Sequence, residues 1–239
     1  MRIYKMKKEA SENSSHSNFL SDFILGSQDG LVNVLGILLG LAAATSDIRL
    51  IFVAALAALG AESISMGAVA YTSTMARYNQ YIRAVEKEKD DIKNIPNHSI
   101  EEIKRIFKKW GYKGKELEVL AKHIKANPEA SLEFLVSFEH GFSPVDKSAP
   151  MRSFLTVLSS TTVGSVIPII PFIFLSHNIF AAAICSVIVC GITLFFIGYY
   201  EAKTTVGSLW RSGLKMLIIG LTAGFAGYLI GHFVGAIPI

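Results

Sequence analysis

The sequence predicts an all-α polytopic membrane protein with five transmembrane helices and a cytoplasmic helical insert between spans two and three. Three observations carry that reading. Of 239 residues, 51% are hydrophobic and only 18% are charged, against about 25% charged in an ordinary soluble domain. The charges are also unevenly placed. Residues 153–200 and 216–239 carry none, whereas 26 of the 42 formal charges fall between Arg77 and Lys147, 14 of them basic and 12 acidic. Finally, five apolar stretches reach the about 20 residues that a helix needs to cross the hydrocarbon core. The same composition excludes disorder, collagen and a disulfide scaffold.

Residues 1–18 form a polar tail, basic at Arg2, Lys5, Lys7 and Lys8. It lacks the apolar core and small-residue cleavage site of a signal peptide, so the first span is expected to be retained. Residues 19–76 hold span one (Leu20–Thr45) and span two (Leu50–Ala76). Residues 77–150 form the insert. No Gly or Pro falls between Arg77 and Lys93, so span two is expected to continue through them as one long helix until Ile95-Pro96 breaks it. Ser99 with Glu102 reads as a capping box opening a new helix. Its apolar face is Ile100, Ile103, Phe107 and Trp110, at helical spacing, and Gly111 ends it. A second insert helix covers Lys115–Ala126, with Leu117, Leu120, Ala121 and Ile124 inward. A third runs from Pro128 to about His140, burying Leu132, Leu135 and Val136. Residues 151–239 hold the last three spans, Phe154–Leu175, Ile179–Tyr200 and Met216–Ile237. The polar turn Ser176-His177-Asn178 divides the first two, and Arg211 and Lys215 stand before the last at headgroup level.

Orientation follows from lysine and arginine, which stay on the cytoplasmic side of short loops. The tail, the insert and the loop carrying Lys203, Arg211 and Lys215 are therefore cytoplasmic, and the C-terminus lies on the opposite side. The net charge of +4 then reflects topology. A nucleic-acid partner would need a concentrated basic face, which 14 basic against 12 acidic residues do not make. Cys185 and Cys190 sit in an uncharged apolar stretch, where a thiol acts as a small hydrophobe.

The spans hold two carboxylates. Asp29 lies inside span one, and Glu62 lies in span two with 12 uncharged residues before it and 14 after. A carboxylate at bilayer depth costs about 2.5–3.5 kcal/mol on insertion scales, and no Lys or Arg is embedded to offset it. Asp29 stands nearer an end of its span, where it can reach water; Glu62 is too far from either end. Two acids without a basic partner point to a cation or a proton. Met66 follows Glu62 by four residues and shares its helical face. A carboxylate with a thioether suits Fe2+ better than Mg2+ or Ca2+, which prefer oxygen alone; singly, a methionine here is as well explained by packing. Glycines four apart (Gly26 and Gly30, Gly36 and Gly40, Gly220 and Gly224, Gly227 and Gly231) allow close helix approach, within the chain or across a dimer seam. In the insert, Glu86 with Asp90 and Glu88 with Asp91 pair like charges on a helix face, and Glu139 falls in a last turn, where the macrodipole disfavours an anion. Each is explained equally by solvation, and Glu102 by the capping box.

The run Asp22-Phe-Ile-Leu-Gly-Ser-Gln-Asp29-Gly30-Leu-Val, the Ser65-Met66 step and Gly164-Ser-Val-Ile-Pro168-Ile-Ile-Pro171 in span three resemble the vacuolar iron transporter family. The glycine-rich fifth span and the helical insert fit as well, and the resemblance covers residues 19–239. It implies a homodimer of five-helix protomers in a plasma or vacuolar-type membrane, with no prosthetic group and no enzymatic activity. Such proteins move Fe2+, and often Mn2+, out of the cytosol in exchange for protons. By the same resemblance Asp29 is the central ligand and a proton carrier, and Met66 lies on its path. The insert collects metal at Glu88, Asp91, Glu102 and Glu139. The sequence departs from the family at Ala70, where a glutamate is common and for which Glu62 stands in on the other side of Met66. It departs again at Ser99, and at Leu135 and Val136, where relatives carry glutamate and methionines. His98 is a nearby imidazole that could replace a missing ligand. The alternative is a non-transporting membrane-anchored metal sensor or partner-binding protein, though an anchor has no use for embedded acids. A ferritin-like oxidase would need Glu-x-x-His pairs; His98-x-x-Glu101 runs in the reverse order.

Overall fold

A computed structural model of the chain describes residues 2–236, and the side chains of residues 18–95 and 99–236. The tail cations Arg2, Lys5, Lys7 and Lys8, the imidazole of His98 and the end of span five at Ile237 lie outside these. The elements are α1 (Arg2–Ala44), α2 (Ile48–Asn94), α3 (Pro96–Lys109), α4 (Gly114–Lys125), α5 (Pro128–Phe138), α6 (Ala149–Phe174), α7 (Ile179–Thr204) and α8 (Leu209–Gly235). No strand occurs among the described residues, and five of the helices (α1, α2, α6, α7 and α8) are long and apolar enough to cross a membrane. The chain is an all-α integral membrane protein.

Two compact units divide the chain, one of Met1–Ser11 with Thr72–Ala149 and the other of Glu12–Tyr71 with Pro150–Ile239. Helix α2 runs unbroken through both, as its lack of Gly and Pro beyond Gly67 predicts. Helix α1 begins well before the apolar stretch, because the polar tail continues the helical backbone into span one. Helix α8 likewise starts at Leu209, which places Arg211 and Lys215 inside its first turns rather than before it.

In the first unit, three short helices close over a small core of Ile103, Ile106, Phe107, Leu117, Ala121 and Leu135, flanked by Ile92, Leu120, Ile124 and Phe134. The expected capping box does not form. Helix α3 starts four residues earlier, with Ile95 as N-cap and Pro96 at the first position, where proline's fixed φ and missing N–H suit a helix start. Ser99 is therefore inside the helix, buried, with its Oγ unpartnered. The end of α3 is as expected. Gly111 takes φ +95°, and the amides of Gly111 and Tyr112 donate to the carbonyls of Lys108 and Phe107, the paired bonds of a Schellman turn. Trp110 departs from its expected inward position and is half exposed; Ile106 takes the core place. Asn127 caps α5 through its side chain, accepting from the amides of Glu129 and Ala130 at 3.1 and 3.2 Å.

In the second unit α1 is the shared member. Its Val34 and Leu38 pack with Ile51 and Ala55 of α2, Ile169 and Phe172 of α6 and Ala182 of α7. Its Leu31, Leu35 and Leu39 meet Cys190 and Leu194 of α7. Large apolar side chains such as Phe174, Phe180, Phe196 and Phe225 face outward, as hydrocarbon solvent requires. Glycines set the closest approaches. A Cβ at Gly227 or Gly231 would strike the carbonyl oxygen of Gly36 or Gly40, and one at Gly40 would reach within 2.9 Å of the Gly227 oxygen. The glycines of spans one and five thus pack against each other within the chain.

Candidate functional site

The two embedded carboxylates are carried by α1 and α2, and α6 holds both helices in place. Gly26 and Gly30 press against Ser160, Thr161 and Ser165 of α6, and Gly164 returns the contact on the backbone of Ser27. Ser153 Oγ donates to Asp22 Oδ2 at 2.6 Å, adding a polar tie at one end of this seam. On the α2 side, Gly67 lies under Phe154 and Leu158, and Thr162 Oγ1 donates to Ser63 Oγ at 3.0 Å. The small and hydroxylated face of α6 therefore determines where Asp29 and Glu62 stand.

The structure brings these two acids onto one amide. Asn33 Nδ2 donates to Glu62 Oε1 and makes a long contact of 3.5 Å to Asp29 Oδ1. Turning the amide over would set its oxygen against two carboxylates, so the nitrogen is the end that faces them. Asp29 and Glu62 are half-buried and Asn33 is exposed, so the trio lies on a partly open face of this unit. Met66 is half-buried one turn beyond Glu62 on α2. Sequence reading missed Asn33. Its signal was the i,i+4 spacing from Asp29, which puts an uncharged double donor on the acid's own face.

The insert acids are placed differently. Glu88 is fully buried, with Oε1 accepting from His140 Nε2 at 2.7 Å and Oε2 unpartnered. Asp91, one turn on, is half-buried, and Glu102 is buried. Glu139, the C-cap residue of α5, is ion-paired with Arg105 of α3, which answers the unfavourable dipole at that helix end. Lys104 bonds Glu118 at 2.7 Å and holds the Glu118 carboxyl below the usual carboxylate range. Among the described residues no three His, Cys, Asp or Glu side chains stand close enough together to hold a metal ion. The insert acids are thus not gathered at one point, and His140 and Arg105 are the partners that sequence reading did not find.

Removing the imidazole would leave a buried carboxylate with neither oxygen paired. His140→Ala is expected to destabilise the insert by about 1–3 kcal/mol, read as faster amide hydrogen exchange in α3–α5. Adding Glu88→Gln, which removes the charge, should recover part of that loss; equal exchange in all three proteins would show that the pair contributes nothing.

A family model described as the VIT family matches residues 20–232. The chain belongs to the VIT family. Vacuolar iron transporter 1 of Oryza sativa subsp. japonica is 31% identical over 209 residues, covering 87% of this chain and 82% of the rice protein. Vacuolar iron transporter 1 of Arabidopsis thaliana is 27% identical over 213 residues, covering 89% and 85%. Protein CCC1 of Saccharomyces cerevisiae is 26% identical over 225 residues, covering 90% and 69%. The plant relatives are named as transporters, which agrees with reading this VIT-family chain as a non-enzyme. The match takes in every helix that carries a candidate residue, from Asp29 on α1 to Glu139 at the end of α5.

Proposed function

We propose that this chain is a ferrous-iron transporter that exports metal from the cytosol in exchange for protons, with Mn2+ as a second cargo. The observation that carries this reading is the pair of embedded carboxylates, Asp29 and Glu62, sharing the Asn33 amide. The naming of its relatives as iron transporters supports iron as the cargo. An amide neutralises neither carboxylate, so the trio keeps its affinity for a cation. On metal entry the carboxylate oxygens of Asp29 and Glu62 exchange the Asn33 donor for the ion, and the Met66 thioether favours Fe2+ over Mg2+ and Ca2+. Protonating either carboxylate from the far side weakens metal binding and drives release, because metal and proton compete for the same oxygens.

One protomer offers only this half-open set, and half-open carboxylates cannot face hydrocarbon. Two protomers set face to face would complete the ligand shell and close it from lipid, so the working unit is a homodimer. The tail and insert lie on the cytoplasmic side and the C-terminus on the other. Glu88, Asp91, Glu102 and Glu139 gather cations at the insert, where Glu88 and Glu139 must first release His140 and Arg105.

The test is uptake of Fe2+, and separately Mn2+, into vesicles holding the purified protein, with the lumen made acidic. Metal entry that rises with the gradient and alkalinises the lumen is the expected result. Entry indifferent to the gradient would overturn proton exchange. No entry of either metal would overturn transport and favour a membrane-anchored metal sensor.

A further inference from the structure

The tip joining α3 to α4 gathers six basic residues and no acid between Lys104 and Lys115. Two are engaged, Lys104 by Glu118 and Arg105 by Glu139. Lys108, Lys109, Lys113 and Lys115 are exposed, and none makes an ion pair among the described residues. Set among them are aromatic rings that the core does not enclose. Trp110 is 51% exposed, Tyr112 40%, and Phe138 of α5 55%. They are braced rather than loose. Trp110 stands edge-on to Phe107 and Phe138 at 5.4 and 5.1 Å, Tyr112 edge-on to Phe107 at 5.6 Å, and the turn beneath them is closed by its two backbone bonds.

Amphipathic rings at a fixed tip, ringed by free lysines, match the chemistry of a lipid surface. Trp and Tyr settle at headgroup level, and lysines near an anionic leaflet are attracted to it. We propose that the α3–α4 tip docks on the anionic phospholipid headgroups of the bilayer that holds the spans. The insert is tethered to membrane helices at both ends, by the continuous α2 and by residues 139–148 leading to α6, so the lipid surface is present at raised effective concentration and modest intrinsic affinity suffices. A second copy of the chain fits less well. A two-fold contact would set four unpaired lysines against the same four, and like charges across an interface oppose binding. The proposal does not depend on the transport reading.

The test uses the full chain with Trp210→Phe, which leaves Trp110 as the sole tryptophan. The protein is placed in nanodiscs of neutral phosphatidylcholine, or of the same lipid enriched in phosphatidylserine, each with a spin label near the headgroup. Trp110 emission is expected to shift to the blue and be quenched in the anionic discs only. The effect should fade as salt shortens the Debye length. Replacing Lys108, Lys109, Lys113 and Lys115 by Gln should lower the bound-to-free ratio by about fivefold per lysine. These side chains are outside the core, and Tyr112→Ser, which keeps the charge, should give weaker quenching with the same salt dependence. Quenching equal in neutral and anionic discs, or absent from both, overturns the proposal. A blue shift without quenching by labelled lipid also overturns it, because the rings would then be covered by protein.

Discussion

Asp29→Ala and Glu62→Ala are each expected to cut gradient-driven metal flux by well over tenfold while leaving a folded, monodisperse protein. Mutating a group that only orients a ligand already costs about 10–100-fold in metal affinity or activity, and these carboxylates are proposed as ligands themselves. The neighbouring packing does not need them. Helix α1 is held to α6 through Gly26, Gly30 and Gly164, and α2 through Gly67 and the Ser63–Thr162 bond. The isosteric variants sharpen the argument. Asp29→Asn and Glu62→Gln keep shape and hydrogen bonding to Asn33 but can neither bind nor release a proton near neutral pH. Loss of flux in these variants together with loss of response to the pH gradient assigns both roles to the carboxylates. Asn33→Ala removes the shared donor, and by the same reasoning should cost about tenfold, less than either acid. Wild-type flux from Asp29→Asn and Glu62→Gln alike would remove this pathway.

How much of this could be read from the sequence depends on the range of the physics involved. Hydropathy is a local sum, and it located five spanning segments and the Ser176-His177-Asn178 turn, while the absence of Gly and Pro between Arg77 and Lys93 predicted the unbroken α2. Hydropathy does not fix where a spanning helix begins: α1 extends back to Arg2 and α8 to Leu209, because polar and charged residues such as Arg211 extend a helix without being apolar. The capping box failed for a local reason that was also legible. Pro96 three residues before Ser99 is itself a strong first-turn residue, and it set the start. Trp110 has the right spacing for the α3 core face, yet α3 meets α4 and α5 over a small contact that Ile106 and Phe107 fill, so the indole is left at the edge.

The candidate site divides in the same way. Asp29 and Glu62 stood out because a charge in an apolar run costs free energy wherever its partner lies. That Asn33 links them depends on how α1 and α2 are set by α6, and no single-helix pattern contains this. Glu88 with His140 is separated by 52 residues, and Arg105 with Glu139 by 34. Both pairs follow from how the insert helices close on one another. The acids implied by family resemblance are consequently present at their positions but spread among different partners, with Glu88 buried and Glu139 paired.

The glycine stripes give the second large effect, and its sign distinguishes two uses that sequence spacing leaves equal. At Gly231 an added Cβ would overlap the carbonyl oxygen of Gly40 and lie 2.7 Å from its Cα, atoms of a helix backbone that cannot turn aside. At Gly60, on α2, an added Cβ meets nothing within 4 Å. In a free helix the change from glycine to alanine stabilises by roughly 0.5–1 kcal/mol. Gly60→Ala should therefore leave the protein unchanged or slightly more stable. Gly231→Ala must part α1 from α8, and overpacking of this kind costs about 1–3 kcal/mol, so a melting temperature several degrees below wild type is expected. Because α1 carries Asp29, the same variant should also lose flux, whereas Gly60→Ala should keep it. If the stripe instead served as a seam between copies, Gly231→Ala would change the oligomeric state without lowering the melting temperature of the protomer. Thermal unfolding in detergent, followed beside the elution volume for both alanine variants, separates the two. Equal melting temperatures for Gly60→Ala and Gly231→Ala would mean that α1 and α8 do not touch through these glycines.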